Sequence, residues 1–359
     1  MAAYEFGNDP AKVERYKKFW TREPVKRPLV GFSFLSWFPL DEFSVSRAWP
    51  KDSELTSDMV HPEEFLDEWE QHIREGEILD DDLIRGVSPT QAIFWCCGTL
   101  GCKMRILPGN IVAVDQTLPW EQVLGMKVDL GHPWFRKYLE FIDALVTRSA
   151  GRYPVSHSTL VGPLDYAVAL RGHEQTVIDM IEEPENAARF LREMGDVFVT
   201  FTQEAWKRIP RYLGGCFDAQ YRIWAPGTIA RMQEDAIAVL SPALYEEFLQ
   251  PVDRKVAATF DNPFMHLHAT SMIVLDELLA VKEIKAFEIN HDIGGPPIEW
   301  LIPHLQKVQA AGVPLILRGE FKPEEIRKIM DSLEPEGLYI YTIVKDRKET
   351  DAIRPLVGM

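Results

Sequence analysis

The stretch FMHLHATS, residues 264–271, alternates apolar and polar side chains and then breaks into a short polar turn. Successive side chains of a β-strand point to opposite faces. Phe264, His266 and His268 therefore share one face, and Met265 and Leu267 share the other. Two histidines on one face of a strand, next to its end, are either structural or aimed at a common ligand. What surrounds the strand decides which.

Runs of the same kind recur along the chain. RPLVGFSFL (27–35), YPVSHSTL (153–160), YLGGCFDA (212–219), PFMHLHA (263–269), IKAFEIN (284–290), PLILRG (314–319) and GLYIYTI (337–343) read as strands. Segments of helical period separate them: 186–209, 242–260 behind the N-cap candidate Ser241 with proline at the first helical position, 296–312 ending in glycine, and 322–337 with acids in its first turn. Strand and helix in alternation imply parallel strands with crossover helices. An eighth strand is expected around 237–240 or before Trp120. No GxGxxG opens a helix, so a (β/α)8 TIM barrel is preferred to an open doubly wound sheet. The whole of 1–359 reads as one domain. Residues 36–150, with helices near 61–79 and 134–147, form an N-terminal elaboration over one end of the barrel.

In such a barrel Met265 and Leu267 face the outer helices, and His266 and His268 face the lumen at the carboxyl end of their strand, where sites of this fold are built. The same alternation turns Glu288 and Asn290 inward on one neighbouring run and Arg318 and Glu320 on the next. Tyr339 and Tyr341 share a face, as do Val155 and His157. Imidazole nitrogens and a carboxylate suit a zinc or non-haem iron site with an open position, so His266, His268 and Glu288 are the candidate ligands. The competing assignment pairs Glu288 with Arg318 and leaves the histidines to bind substrate.

The remaining candidates each carry two readings. Asp218 and His157 are acid/base groups or ordinary turn and interior residues. Tyr341 donates a proton or fills the lumen. Arg222 binds an acidic substrate group or makes a surface pair. Trp37 and Trp224 wall the mouth or are buried edges. His291 and Asp292, in NHDIGGPP, belong to a binding loop or a plain turn. Cys97 with Cys102 reads as packing.

The net charge of −16, from 39 Lys+Arg against 55 Asp+Glu, argues against nucleic acid as a partner. No apolar run approaches the roughly 18 residues needed to span a bilayer, and the N-terminal stretch has no apolar core of a signal peptide. Four cysteines without a CxxC pair fit reduced thiols. A cytoplasmic protein without membrane contact is expected.

Three segments carry a resemblance. LSPALYEEFLQP (240–251), WCCGTLGC (95–102) and LVGPLDYAVALRGHEQTVIDMIEEPE (160–185) resemble segments of the uroporphyrinogen decarboxylase superfamily, which includes zinc-dependent methyltransferases acting on corrinoid proteins, coenzyme M or tetrahydrofolate. The resemblance covers the chain from about residue 10 onward. FMHLHA falls where the methyltransferases carry a His-x-Cys zinc pair, and AAGVPLILRGEF where they carry the strand before their last helix. True decarboxylases carry an Arg-Gln-Ala-Gly-Arg stretch where this chain reads FSFLSWFPL (32–40), so porphyrinogen decarboxylation is not expected. The zinc-binding Cys of His-x-Cys is His268 here, and YIYTIV (339–344) lacks the third, cysteine, ligand. Two imidazoles and a carboxylate leave a metal more Lewis-acidic than a thiolate set does.

The resemblance implies an enzyme that moves a methyl group between a small methylated substrate and a corrinoid, tetrahydrofolate or thiol acceptor. Zinc is the implied metal, and the corrinoid or tetrahydrofolate carrier is not covalently bound. With no Asp-x-His-x-x-Gly motif in the chain, a corrinoid would sit on a separate protein. The expected roles are His157, Asp218 and Tyr341 in catalysis, Trp37, Arg222, Asn290, His291, Arg318 and Glu320 in substrate binding, and His266, His268 and Glu288 on the metal. A lyase or metal-dependent hydrolase acting on a small acid is the alternative enzyme, and a non-catalytic ligand-binding barrel the alternative outside catalysis.

Overall fold

Six parallel strands make the central sheet of the computed structural model, which describes residues 4–34 and 39–359. They are β1 (Leu29–Ser33), β2 (Ile229–Gln233), β3 (Asn262–Leu267), β4 (Ala286–His291), β5 (Leu315–Gly319) and β6 (Leu338–Ile343). Their order in space is β1-β6-β5-β4-β3-β2. Five of the six runs were legible from their alternation of apolar residues. The register sets Gln233 beside His266, His266 beside Glu288, Asn290 beside Arg318, and Arg318 beside Tyr341.

The period of two sorts the side chains into separate cores. Ile229, Phe264, Ala286, Ile316, Tyr339 and Tyr341 pack together on the inner face. Met232, Met265, Leu267, Phe287, Ile289, Leu317 and Ile340 join the larger core against the helices. The crossover helices include Pro184–Trp206, Ile298–Ala310 and Pro323–Ser332. Ser241 caps its helix through Oγ, which accepts the Leu244 N–H at 3.2 Å. That helix widens to a π turn over Tyr245–Leu249, next to Pro251, which has no N–H for the helical ladder.

Three strand expectations need correction. Residues 153–160 form no strand and contribute only an isolated parallel bridge between Val87 and Val155. Pro154 lacks a donor, and local bonds replace the ladder: Ser156 Oγ donates to the His157 carbonyl, and His157 Nδ1 lies 2.6 Å from the Ser158 carbonyl. Within 212–219 only Cys216–Asp218 is extended, and it pairs antiparallel with Ile223–Ala225 in a hairpin outside the main sheet. Asp218 closes that turn by accepting the Tyr221 N–H at 2.9 Å. The strand sought near 237–240 is β2, a few residues earlier, and Asp235–Val239 is a 3-10 turn. Before Trp120, Asn110–Ala113 belongs instead to a small antiparallel sheet with Met104–Leu107 and Glu54–Leu55.

Both edges of the main sheet are covered. Along β1, Asp82 Oδ2 accepts the Val30 N–H at 3.0 Å and Asp81 Oδ2 accepts the Phe32 N–H at 2.9 Å. Carboxylates thus occupy donors that would otherwise be open to another strand. Beside β2, Gly162 passes so close that a Cβ there would lie 1.6 Å from the Gln233 carbonyl oxygen. No helix among the described residues is long and apolar enough to cross a membrane.

Candidate functional site

The carboxyl ends of β2 to β5 open into a cavity of about 360 Å³. His266 is the last inward residue of β3 and is 5% exposed. Its Nδ1 contacts the Glu288 carboxylate on β4 and stands 2.8 Å from the Tyr221 hydroxyl. Its Nε2 points the other way, 3.0 Å from His268 Nε2. His268 lies one step beyond the strand, in extended backbone, and its Nδ1 is 2.8 Å from Asp292 Oδ1. Asn290 Nδ2 donates to the same oxygen at 2.6 Å. Asp235, just past β2, places Oδ1 3.7 Å from His268 Nε2, and the Gln233 amide holds its other oxygen.

These contacts assign the ring protons. A carboxylate accepts, so Glu288 and Asp292 each accept a hydrogen bond from an Nδ1–H, which leaves an Nε2 lone pair on each ring. Two lone pairs 3.0 Å apart with a carboxylate beside them repel unless a proton or a cation lies between. Burial, with the nearby Arg231 charge, holds the His266 pKa well below the ordinary histidine value. Burial pushes His268 the same way, but the Asp292 hydrogen bond and the Asp235 charge outweigh it and raise its pKa. One proton can therefore bridge the rings in the absence of a metal. Burial raises Glu288 to about 7, and Arg318 and Arg231 counteract part of that.

The donor set fits a divalent cation. Nε2 of His266, Nε2 of His268 and an oxygen of Asp235 all lie within 4.8 Å of one another. Two nitrogens on one tetrahedral zinc, at roughly 2.0–2.1 Å each, stand ~3.3 Å apart, close to the spacing present. A histidine whose other nitrogen donates to a carboxylate is the usual support for such a ligand. The Glu288 carboxylate sits behind His266 on Nδ1, outside the set that converges, and Asp235 is the third group within reach of the two Nε2 atoms.

The other expected residues divide. Arg318 and Asn290 line the cavity. His157 does not: it is buried edge-on against Trp206, 5.2 Å between ring centroids, with its pKa lowered to about 4 by burial. Val155, which shares its face in the sequence reading, belongs to the larger hydrophobic core. Asp218 is the turn acceptor described above; burial raises its pKa to about 6. Tyr341 is buried on the inner face, where its hydroxyl accepts from Arg222 Nε at 3.3 Å. Arg222 lines a separate depression with Arg85 and Glu42. His291 stacks on Phe321, and Glu320 is exposed past the end of β5. Trp224 is buried with its indole N–H on the Tyr212 carbonyl. Trp37 lies outside the described residues.

Sequence reasoning missed Asp235, Arg231, Gln233 and Tyr221. The signal for the first three was IARMQ followed by ED: an alternating strand whose inward positions are polar and whose end is acidic.

No protein-family model matches the chain, and no curated protein matches it. Among solved structures it is similar to a methyltransferase from Methanosarcina mazei, with a TM-score of 0.65 and 12% identity, over 96% of this chain and 97% of that one. At that identity the likeness establishes a shared fold.

Proposed function

We propose that the chain is a metal-dependent methyltransferase of the uroporphyrinogen decarboxylase superfamily, built on a single (β/α)8-type barrel that the irregular segments around Val87 and Val155 complete. The observation that carries the reading is the convergence of His266 Nε2 and His268 Nε2 beside Asp235, with each opposite nitrogen held by a carboxylate. The sequence resemblance and the fold shared with a methyltransferase support it.

In this reading His266, His268 and Asp235 hold zinc. Zinc bound there supplies Lewis acidity that keeps a substrate thiol or hydroxyl deprotonated near neutral pH. Glu288 and Asp292 retain the Nδ1 protons and fix the ring planes. Gln233 orients Asp235. The walls at Ile93, Phe94, Leu160 and Val161 exclude water from the reacting group. The methyl carrier is a corrinoid or tetrahydrofolate, not covalently attached, with a corrinoid presented by a separate protein. The lyase and hydrolase alternatives would give proton transfer to the metal or to His157 or Asp218; neither of those two residues lines the cavity, and the metal-dependent form uses the same His266, His268 and Asp235.

The test supplies zinc-loaded protein with methylated small molecules and, in separate reactions, cob(I)alamin, tetrahydrofolate and a thiol. Methylated acceptor is the expected product. Carbon dioxide release with no methylated acceptor would favour the lyase class instead.

A further inference from the structure

Arg231 sits on the inner face of β2, one inward step below Gln233, and is 2% exposed. Its Nη1 donates to the Leu160 carbonyl at 3.3 Å, and its Nε has no hydrogen-bond partner. The interior carboxylates that could neutralise it are engaged elsewhere: Glu288 with His266, Asp292 with His268, and Asp218 with the Tyr221 N–H. No ion pair within 4.0 Å joins Arg231 to any of them. Glu288 and Asp218 act on Arg231 through space and the Tyr221 ring lies 5.6 Å from its Cζ, but its buried Nε–H is left without an acceptor, which a ligand can supply. Arg231 lines the cavity, so a ligand in the cavity can be that acceptor.

The surroundings specify its charge. The molecule carries a net charge of −16, and the described residues lining the cavity include Arg231, Arg318 and Asp235. With Glu288 and Asp292 held by the two histidines, the unpartnered Nε of Arg231 is the buried cationic donor left to meet an anion. The lining has no lysine and no glycine-rich loop of the kind that cradles phosphate. A guanidinium edge with an unpartnered Nε matches the planar, two-oxygen fork of a carboxylate. The position also gives an orientation. Arg231 lies two residues below Gln233 on β2, roughly 6–7 Å along the strand, and Gln233 is level with His266.

We propose that the substrate is a small carboxylic acid whose carboxylate binds Arg231 deep in the barrel, with its reactive end directed up toward His266, His268 and Asp235. This rests on the cavity being the substrate site of the proposed methyltransferase, and it adds the substrate class and the residue that selects it. Arg231 is then a binding and specificity residue.

Binding to the full-length protein tests this, by calorimetry and by shift of the melting temperature. The probes are propionate, succinate, the neutral isostere propionamide, and inorganic phosphate. Wild type is expected to bind propionate or succinate and to bind propionamide at least tenfold more weakly. Arg231→Gln should lose at least tenfold in carboxylate affinity, and Arg231→Lys should recover part of it. A far-ultraviolet spectrum and a cooperative melt for each variant exclude misfolding. Asp235→Asn, which removes the proposed metal position, is measured alongside, so that an anion held by a metal is told apart from one held by Arg231. Equal binding of propionamide, preference for phosphate, or unchanged binding in Arg231→Gln overturns the proposal. If Asp235→Asn abolishes carboxylate binding while Arg231→Gln leaves it intact, the anion sits on the metal, and only this inference fails. If carboxylates bind through Arg231 to protein that takes up no metal, the inference stands and the methyltransferase reading fails.

Discussion

His266 and His268 turn their Nε2 atoms to one another across 3.0 Å, and a different carboxylate anchors the far side of each ring. Sequence places the two residues on one side of a strand. The carboxylates decide which nitrogen each presents, and on that the proposed ligand set rests.

The two acids nearest His266 and His268 should therefore differ in effect. Asp235→Asn removes a direct ligand and should abolish stoichiometric zinc. Glu288→Gln leaves the ligand atoms in place but changes what fixes the ring, and should weaken zinc by about 10–100-fold. Titration against a calibrated chelator measures both. Equal losses would return Glu288 to the first coordination sphere.

The close approach of Gly162 to β2 positions Asp235. A Cβ there would meet the Gln233 carbonyl at 1.6 Å and Glu234 Cδ at 2.6 Å. Gly162→Ala should cost about 1–3 kcal/mol of stability and also weaken zinc binding, because the end of β2 must move. Urea melts and the same chelator titration report the two effects. A variant with wild-type stability and affinity would show that this contact does not set the site.

The edge of β1 depends on a buried ion pair. Asp81 accepts N–H groups of Phe32 and Leu83 and pairs with Arg85 at 2.9 Å, both side chains being at most 2% exposed. Asp81→Ala leaves a buried guanidinium uncompensated and should cost about 3–5 kcal/mol. Chemical denaturation checks it, and a loss below about 1 kcal/mol contradicts this role.

Asp253 provides a pH signature in a buried carboxyl pair with Glu234. It is fully buried, accepts the Tyr245 hydroxyl at 2.8 Å, and burial raises its pKa from 3.8 to about 7. The folded protein thus holds a proton that the unfolded chain releases between those values. Stability from this group is present below about pH 4, falls as pH rises toward 7, and levels off above it. Asp253→Asn should reduce that slope, the remainder belonging to Glu234, which interacts with it and whose pKa burial also raises. Its unfolding free energy relative to wild type should climb between pH 4 and 7, by an amount on the order of a few kcal/mol. A constant difference across that range would show that Asp253 does not titrate there.

The outcome for each strand follows from what its alternation could reveal. In β3, β4, β5 and β6 an apolar outer face flanks a few inward polar groups, and those strands and their facing were readable. β2 was not, because Arg231 and Gln233 fill its inward positions and break the apolar pattern, and Asp235 was lost with it. Residues 153–160 have a strand-like composition, but Pro154 and the local bonds of Ser156 and His157 divert the backbone, so His157 faces Trp206 and not the cavity. The role of Glu288 turned on a choice between two nitrogens of one ring, which no spacing in sequence expresses.

The most direct measurement is the metal content of purified protein after zinc loading and exhaustive dialysis, with anomalous diffraction at the zinc edge to locate the ion. The account predicts close to one zinc per chain, at bonding distance from His266 Nε2, His268 Nε2 and Asp235, and loss of most of it in His268→Ala. Protein that retains no stoichiometric metal, or an ion held by Glu288 with Asp235 unbound, would contradict it.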